Sequence, residues 1–534
     1  MEEKIFGNVN YKVVAFIVVL IAVIIRGWNL AQIPNGFWSD EAINALTGIS
    51  ALENHELKVF FDVYFGRESL FIYLVGISTK IFGNHFWAAR LPSVISGALS
   101  ILGIYLFAKE LYDREIGLLA AVLLAGSFWH LVFSRIAFRA ILVPTFISFS
   151  LFFLLRGIRT SKIQNYIIGG VVFGLGFYSY ISFRIMPVIL LGWLPFCIYV
   201  IVQSKQDRNK NLFGLGSYLL VTILVSFPLG MYFLDHPDMF WSRMDSVADI
   251  RSEYLIPSIF RNLFLSLKMF TSVGDLNPRH NIPGRPVFSI PEAIIFWAGF
   301  IFLFLMIFLS LRGKKFGDAG KNLLVVALWI GNLLPAVFSS ETPHFLRTLG
   351  AVVPTYIIFA VGVKYLGISI KNIIKKYPHH QIIVSALIVG GLMILTGKNL
   401  DAYFYRYANQ PETAFAFQRR YVEIGNLINS IPEQTTKFVL LDSLEANPEA
   451  YNFSHYANTI VFTLDSPEDT ILIKSEELNQ AEFVGMGNYI FIPMENSSKW
   501  VEVLTEKLQI NLKDVYSEEG IQIIYPQETD FSFP

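Results

Sequence analysis

A single cysteine in 534 residues, Cys197 inside an apolar run, leaves no partner for a disulfide and too few thiolates for a Cys-based zinc or iron–sulfur site. Redox chemistry drops out with it. Charge is scarce too: 16% of residues are Asp, Glu, Lys or Arg, against about a quarter in soluble domains. With 54% apolar residues, the chain fits neither a soluble globule nor an intrinsically disordered polymer. Internal repeats and low-complexity tracts are lacking as well, which excludes solenoids. What the chain does have is 48 Phe, 24 Tyr and 9 Trp, the rings that fill lipid-facing surface and its polar borders. It reads as a polytopic α-helical membrane protein.

The net charge of zero hides a division. Residues 401–534 hold 21 acidic and 8 basic side chains, a balance of −13, so the first 400 carry +13. Two bodies are expected, a multi-span part over 1–398 and a soluble acidic part over 399–534. Basic excess in a membrane protein collects in short cytoplasmic loops, so it does not point to nucleic acid.

Crossing the hydrocarbon takes about 20 apolar residues in a helix. Eleven runs approach that length: 11–31, 86–108, 116–134, 140–156, 164–182, 185–203, 212–234, 291–311, 322–339, 346–363 and 381–397. The first follows Lys4 and Lys12 and lacks a small-residue cleavage site, so it reads as a retained span. Ser69 to Gly83 is apolar but short. If it does not cross, the basic loops at 109–114, 156–162, 205–210, 312–321 and 364–376 all fall on the cytoplasmic side, as the positive-inside rule requires. Ser69 to Gly83 is therefore an interfacial or re-entrant segment. The N-terminus is then cytoplasmic, and the extracytoplasmic face of the cell membrane holds segment 31–85, the turn 134–139, the long loop 235–290 and the acidic tail. The tail alternates β-branched runs at 437–441, 459–464, 470–473 and 489–493 with a helix-like piece at 498–508, the pattern of a small α/β domain.

Candidate chemistry gathers on the external side. Asp40 and Glu41 follow Ser39, placed to cap a short helix through Ala51. On their own they are what any helix start favours. Their company raises the reading: Arg67 and Glu68, Arg135 and Arg139, Tyr180 and Arg184, Arg279 and His280, and His344 and Arg347 all sit in external loops, where topology makes Arg unexpected. Any one Arg could snorkel to membrane lipid headgroups, and a lone His is more often a hydrogen-bonded loop residue than a ligand. Repetition over five short loops favours a shared ligand. Guanidinium suits planar, bidentate grasp of phosphate, so a lipid-linked phosphate is expected there.

These motifs resemble the polytopic glycosyltransferases of the GT-C superfamily, close to glycosyltransferase family 39. The likeness rests on Asp40-Glu41 after the first span, Arg67-Glu68-Ser69-Leu70, Ala89-Arg90-Leu91-Pro92, and the runs 134–144, 178–184, 274–286 and 343–347. It implies a GT-C fold of about eleven spans and inverting transfer of a sugar from a polyprenyl phosphate donor to a protein, lipid or glycan acceptor. Asp40 would be the general base, with the Arg residues neutralising the departing phosphate. Some relatives carry a second acidic residue where Ile141-Leu142-Val143-Pro144 is apolar here, and the carboxylates left, Asp40, Glu41 and Glu68, are few for a divalent ion. No metal or other cofactor is expected. Trp-Trp-Asp is absent from the tail, which disfavours the oligosaccharyltransferase branch. The alternative from another class is a flippase of lipid-linked sugars, but carriers set polar groups near the midplane and show repeated halves, and neither pattern is visible.

Overall fold

The computed structural model describes residues 5–7, 9–64, 66–203, 207–241, 255–444, 453–478 and 488–527. Lys4, Lys205 and 242–254 of the expected external loop lie outside the described residues. The chain opens with α1 (Tyr11–Gly27) and α2 (Ser39–Glu53). A hairpin of β1 (Phe60–Phe61) and β2 (Arg67–Glu68) leads into α3 (Ser69–Phe82). Then follow α4 (Phe86–Leu111), α5 (Arg114–Ala125), α6 (Phe128–Phe133), α7 (Leu142–Thr160) and α8 (Ile163–Gly176). After them come α9 (Met186–Gln203), α10 (Arg208–Asp235) and α11 (Leu255–Lys268). The helical part ends with α12 (Ile290–Arg312), α13 (Phe316–Val337), α14 (Val352–Ile373) and α15 (His380–Asp401).

Among the described residues, eight helical stretches are long and apolar enough to cross a membrane: Phe86–Leu111, Arg139–Thr160, Ile181–Gln203, Arg208–Asp235, Ile290–Arg312, Phe316–Val337, Leu349–Ile373 and His380–Tyr407. The protein is a multi-pass membrane protein. Three of the eleven expected spans fall short among the described residues, α1 with 17 residues, α5 with 12 and α8 with 14. The run 116–134 is broken at Gly126, and Ser127 starts a fresh helix by accepting the His130 amide on its hydroxyl at 3.1 Å. Nearly every residue of α5 is buried against other helices, so protein rather than lipid surrounds its ends.

Ser69 to Gly83 forms a helix of 14 residues packed on α2. The two approach through facing glycines. A Cβ on Gly76 would lie 2.6 Å from the Gly48 carbonyl, and one on Gly48 would lie 2.4 Å from the carbonyl oxygen of Ile72. Both obstacles are backbone, so neither can swing aside.

A buried ion pair fixes α2 on its other side. Arg90 on α4 donates from Nε to Glu41 Oε2 at 2.9 Å and from Nη2 to Glu41 Oε1 at 3.0 Å, with both side chains at 0% exposure. The same guanidinium gathers the carbonyls of Leu30, Pro34 and Gly36, and Glu41 accepts the Ala137 amide at 2.8 Å. The loop after α1, the start of α2, α4 and the 134–139 turn thus share one polar knot.

Beyond α15 and a π turn at Ala402–Tyr407, α16 (Pro411–Ala416) and α17 (Arg419–Ser430) lead into a mixed sheet. It is built from β3 (Thr436–Leu440), β4 (Thr470–Ile473), β5 (Tyr489–Pro493), β6 (Leu512–Tyr516) and β7 (Gln522–Pro526), in the order β4-β3-β5-β7-β6. β3 runs parallel to β4 and β5, while β7 is antiparallel to β5 and β6. Side chains alternate across it. Val439, Ile490 and Ile492 pack on α17 and on α18 (Phe453–Thr463), whereas Phe438, Leu440 and Phe491 pack on α19 (Trp500–Leu508). The expected strand 459–464 is corrected, since it lies in and just after α18. One face of that helix, Ala457, Ile460 and Leu464, enters the sheet's core, and the other, through Phe462, enters the core of the membrane part. Burial on two sides removes the alternation that marks an amphipathic helix.

Replacing Gly76 by Val should cost about 1–3 kcal/mol by forcing α3 off α2, read as a lower unfolding temperature in detergent. Arg90→Ala strands a buried carboxylate and should cost more, about 3–5 kcal/mol by the same measurement. If Arg90→Ala unfolds with the parent, the knot does not hold the fold together.

Candidate active site

Asp40 and Glu41 are neighbours on the first turn of α2, so their side chains diverge by about 100°. That divergence separates their roles. Glu41 turns inward to Arg90 and accepts the Trp38 amide at 3.3 Å, so it is not placed to touch a substrate, contrary to its expected binding role. Asp40 turns to the mouth, its side chain 18% exposed. The cap is corrected as well: Trp38 precedes the helix and Ser39 is its first residue. The Ser39 amide instead donates to the Gln418 side chain at 2.8 Å.

β2 presents Arg67 and Glu68 to different partners. Arg67 Nη2 meets Asp40 Oδ1 at 2.5 Å, and its Nη1 donates to Asn44 Oδ1 at 2.7 Å. Glu68 Oε2 lies 3.1 Å from Arg139 Nε, and its Oε1 lies 3.6 Å from Arg184 Nη2. Arg139 also stands 5.6 Å above the Tyr180 ring, and Arg184 stacks on Phe233 and Phe240 at 4.8 and 4.7 Å. Gly66 makes the hairpin possible, with φ +84 and the Phe60 ring where a Cβ would stand. Four distant segments are joined here through alternating carboxylates and guanidiniums.

Burial alone would raise the Asp40 carboxyl, but Arg67, with help from His455 and Arg139, holds it down at about 2. Arg279 joins from the 274–286 loop, its guanidinium 4.1 Å from the Trp38 ring centroid. Trp38, Arg279, Glu341, His344, Arg419 and Tyr456 line an open cleft of about 720 Å3, which meets the start of α2 through Trp38, two residues before Asp40.

The remaining expected residues meet other partners. Arg135 is fully buried and donates to the carbonyls of Ile25, Arg26, Asn29 and Ile33 and to the Tyr403 hydroxyl. It closes the end of α1, and its expected contact with a ligand is corrected. His280 donates from Nδ1 to Asp275 Oδ2 at 3.1 Å, and the same oxygen accepts the Phe345 amide at 2.7 Å. His344 accepts the Arg347 amide on Nδ1 at 3.4 Å, which leaves Nε2–H facing Glu341 at 3.5 Å. Burial pushes the His344 pKa down to about 4, so the ring is neutral near pH 7. Arg347 Nη2 lies 3.7 Å from the same Glu341 carboxylate.

Asp275, His280 and His344 can each offer one ligand atom, all within 4.8 Å of one another. The Asp275 carboxylate is already engaged, Oδ1 by the Asn277 amide at 2.8 Å and Oδ2 by the two donors above. This hydrogen-bonded set braces the 274–286 loop against 343–347. Asp275, Glu341, Asn44 and Arg90 were not among the residues expected at the site. Arg90 lay within a quoted motif, while Asp275 and Glu341 carried no signal beyond an acidic residue in a loop.

Residues 69–232 match the family model described as dolichyl-phosphate-mannose-protein mannosyltransferase. The undecaprenyl phosphate-alpha-4-amino-4-deoxy-L-arabinose arabinosyl transferase of Pseudomonas aeruginosa (strain UCBPP-PA14) is 28% identical over 175 residues, covering 31% of this chain and 30% of its own. The chain thus spans under a third of the length of the curated relatives it matches. Among solved structures, ArnT from Cupriavidus metallidurans bound to undecaprenyl phosphate superposes with a TM-score of 0.54 at 12% identity, over 96% of this chain and 97% of that one. The archaeal oligosaccharyltransferase AglB from Archaeoglobus fulgidus, in complex with an inhibitory peptide and a dolichol-phosphate, gives 0.54 at 14% identity, over 98% and 75%. The resemblance read from the sequence is borne out: the chain has the fold of these polytopic glycosyltransferases and, over 69–232, the sequence signature of the dolichyl-phosphate-mannose-protein mannosyltransferase family.

Proposed function

We propose that this protein transfers a hexose or pentose from a polyprenyl phosphate to an acceptor hydroxyl or amine at the extracytoplasmic face, with inversion. The observation that carries this reading is a half-open carboxylate, Asp40, set among the guanidiniums of Arg67, Arg139 and Arg279. The family match and the polyprenyl phosphates bound by ArnT and AglB support the donor class. In the reaction, the acceptor oxygen bonds to the anomeric carbon from the face opposite the phosphate. Its proton passes to Asp40, the carbon–oxygen bond to the phosphate breaks, and the phosphate leaves with the electron pair. Guanidiniums at the mouth stabilise the charge it gains.

The low pKa of Asp40 keeps it ionised, hence able to accept a proton, throughout the physiological range. No metal enters this scheme. In its support, Asp40, Glu41 and Glu68 are each paired with a guanidinium, whose positive charge already balances the carboxylate and disfavours a second cation there. The acceptor is a protein, a lipid or a glycan. We place the N-terminus in the cytoplasm and residues 399–534 outside as an α/β domain, with α1, α5 and α8 completing eleven crossings. A flippase would set its polar groups near the midplane, whereas these converge in the connections between long apolar helices.

Asp40→Asn in the purified protein reconstituted with lipid should lower transfer of radiolabelled sugar from polyprenyl phosphate by about 10²–10⁴-fold. Activity equal to the parent would remove Asp40 as the base. The acid sensitivity of the Asp40–Arg67 pair also has a defined window. Its folded pKa of about 2 lies below the ordinary aspartate value of 3.8, so the pair's stabilisation is complete above about pH 4 and is lost as pH falls towards 2. Thermal unfolding scanned from pH 6 to pH 2 should therefore show parent and Asp40→Asn converging only at the acid end.

A further inference from the structure

The soluble part is not a bystander at this site. Helix α18 packs against α2, and three side chains make the joint. Thr459 Oγ1 lies 3.1 Å from the Phe37 carbonyl and 3.0 Å from Gln418 Oε1, the atom that receives the Ser39 amide. Phe462 stacks on Phe37 at 4.8 Å. Asn458 Nδ2 reaches the Tyr64 hydroxyl at 3.2 Å, and Tyr64 in turn meets the edge of the His455 ring at 4.6 Å. His455 itself places Nε2 3.7 Å from Asp40 Oδ1, the oxygen that also holds Arg67.

We propose that the C-terminal domain completes the reaction centre, with His455 as a positioning residue that orients and tunes the Asp40 carboxylate. This rests on the transferase reading given above. The charged and titratable groups facing the pair are Arg67 from β2, Arg139 from the turn before α7, Arg279 from the 274–286 loop and Tyr64 from the hairpin; Tyr456 lies beside His455 on α18 itself. With a neutral imidazole, the cation in direct contact with Oδ1 among the described residues is Arg67. A protonated imidazole adds a second positive charge there and makes Asp40 a weaker base. Burial lowers the His455 pKa below its ordinary value, Asp40 works against that shift, and Arg67 and Arg279 reinforce it, so the neutral form prevails at pH 7. Acidification through the His455 titration should therefore slow transfer well before Asp40 itself is protonated.

The experiment uses the full chain in lipid. His455→Ala should lower kcat by about 10- to 100-fold, because a mis-set carboxylate loses its line to the acceptor, while the KM for the donor stays within about twofold. His455→Gln, which keeps a hydrogen-bonding head and cannot titrate, should recover part of that loss and flatten the fall in kcat that the parent shows as pH drops below the ordinary histidine range. Equal kcat and an unchanged pH profile in both variants would overturn the proposal. A second measurement needs no turnover: the titration midpoint of His455, followed by deuterium exchange at its ring C2 with mass spectrometry, should drop in Asp40→Asn because the carboxylate raises it. A midpoint that does not move overturns the contact even if the parent transfers no sugar. A parent inactive with every polyprenyl phosphate donor, together with a midpoint that does move, would instead count against the transferase reading alone.

Discussion

A carboxylate with no exposure to water must be matched in full, and the Glu41–Arg90 pair is where this protein meets that demand. Arg90 is rigid and planar, with five donors. It spends them on Glu41 and on three carbonyls of the loop between α1 and α2. That loop forms a turn at Asn29 but no helix or strand of its own, so the guanidinium stands in for secondary structure over Leu30 to Gly36. The position of Asp40 follows from it: once Glu41 is pinned, helical geometry sends the preceding side chain to the mouth. The guanidinium of Arg67 and the close seat of α3 against Gly48 then narrow its range further.

The sequence made the chemistry legible where charge contradicted its surroundings. Arg67, Arg139 and Arg184 stood out because Arg in turns expected to be external lacks a topological reason, Asp40 and Glu68 stood out by their company, and these are the residues the fold draws into one network. It could not separate Asp40 from Glu41, or Arg139 from Arg135, because that choice depends on the phase of a helix or turn against its neighbours. Arg135 and Arg139 are four residues apart, yet one seals the end of α1 and the other meets Glu68. Hydropathy located the long spans well. It overestimated α1, α5 and α8, since apolar runs continue through breaks such as Gly126-Ser127 when neighbouring helices cover them. Residues 459–464 were misread for the related reason that a helix buried on two sides loses its polar stripe.

The joint between the two parts is polar and aromatic rather than greasy. Gln418 receives the first amide of α2, Thr459 sits over the Phe37 carbonyl, and Phe37, Phe86 and Phe462 form one three-ring cluster. Free helix amides and a loop carbonyl near the mouth would otherwise need water. Borrowing partners from the C-terminal part satisfies them without water.

Chain order gives this joint a consequence in time. Thr459 and its Phe37 partner are 422 positions apart, and Gln418 and Ser39 are 379 apart. A ribosome adding about 5–20 residues per second finishes the later partner roughly 20–80 s after the earlier one. Through that interval the start of α2 lacks the partners that Gln418 and Thr459 supply, so the joint closes only when the later-made segment folds back onto the earlier-made loop.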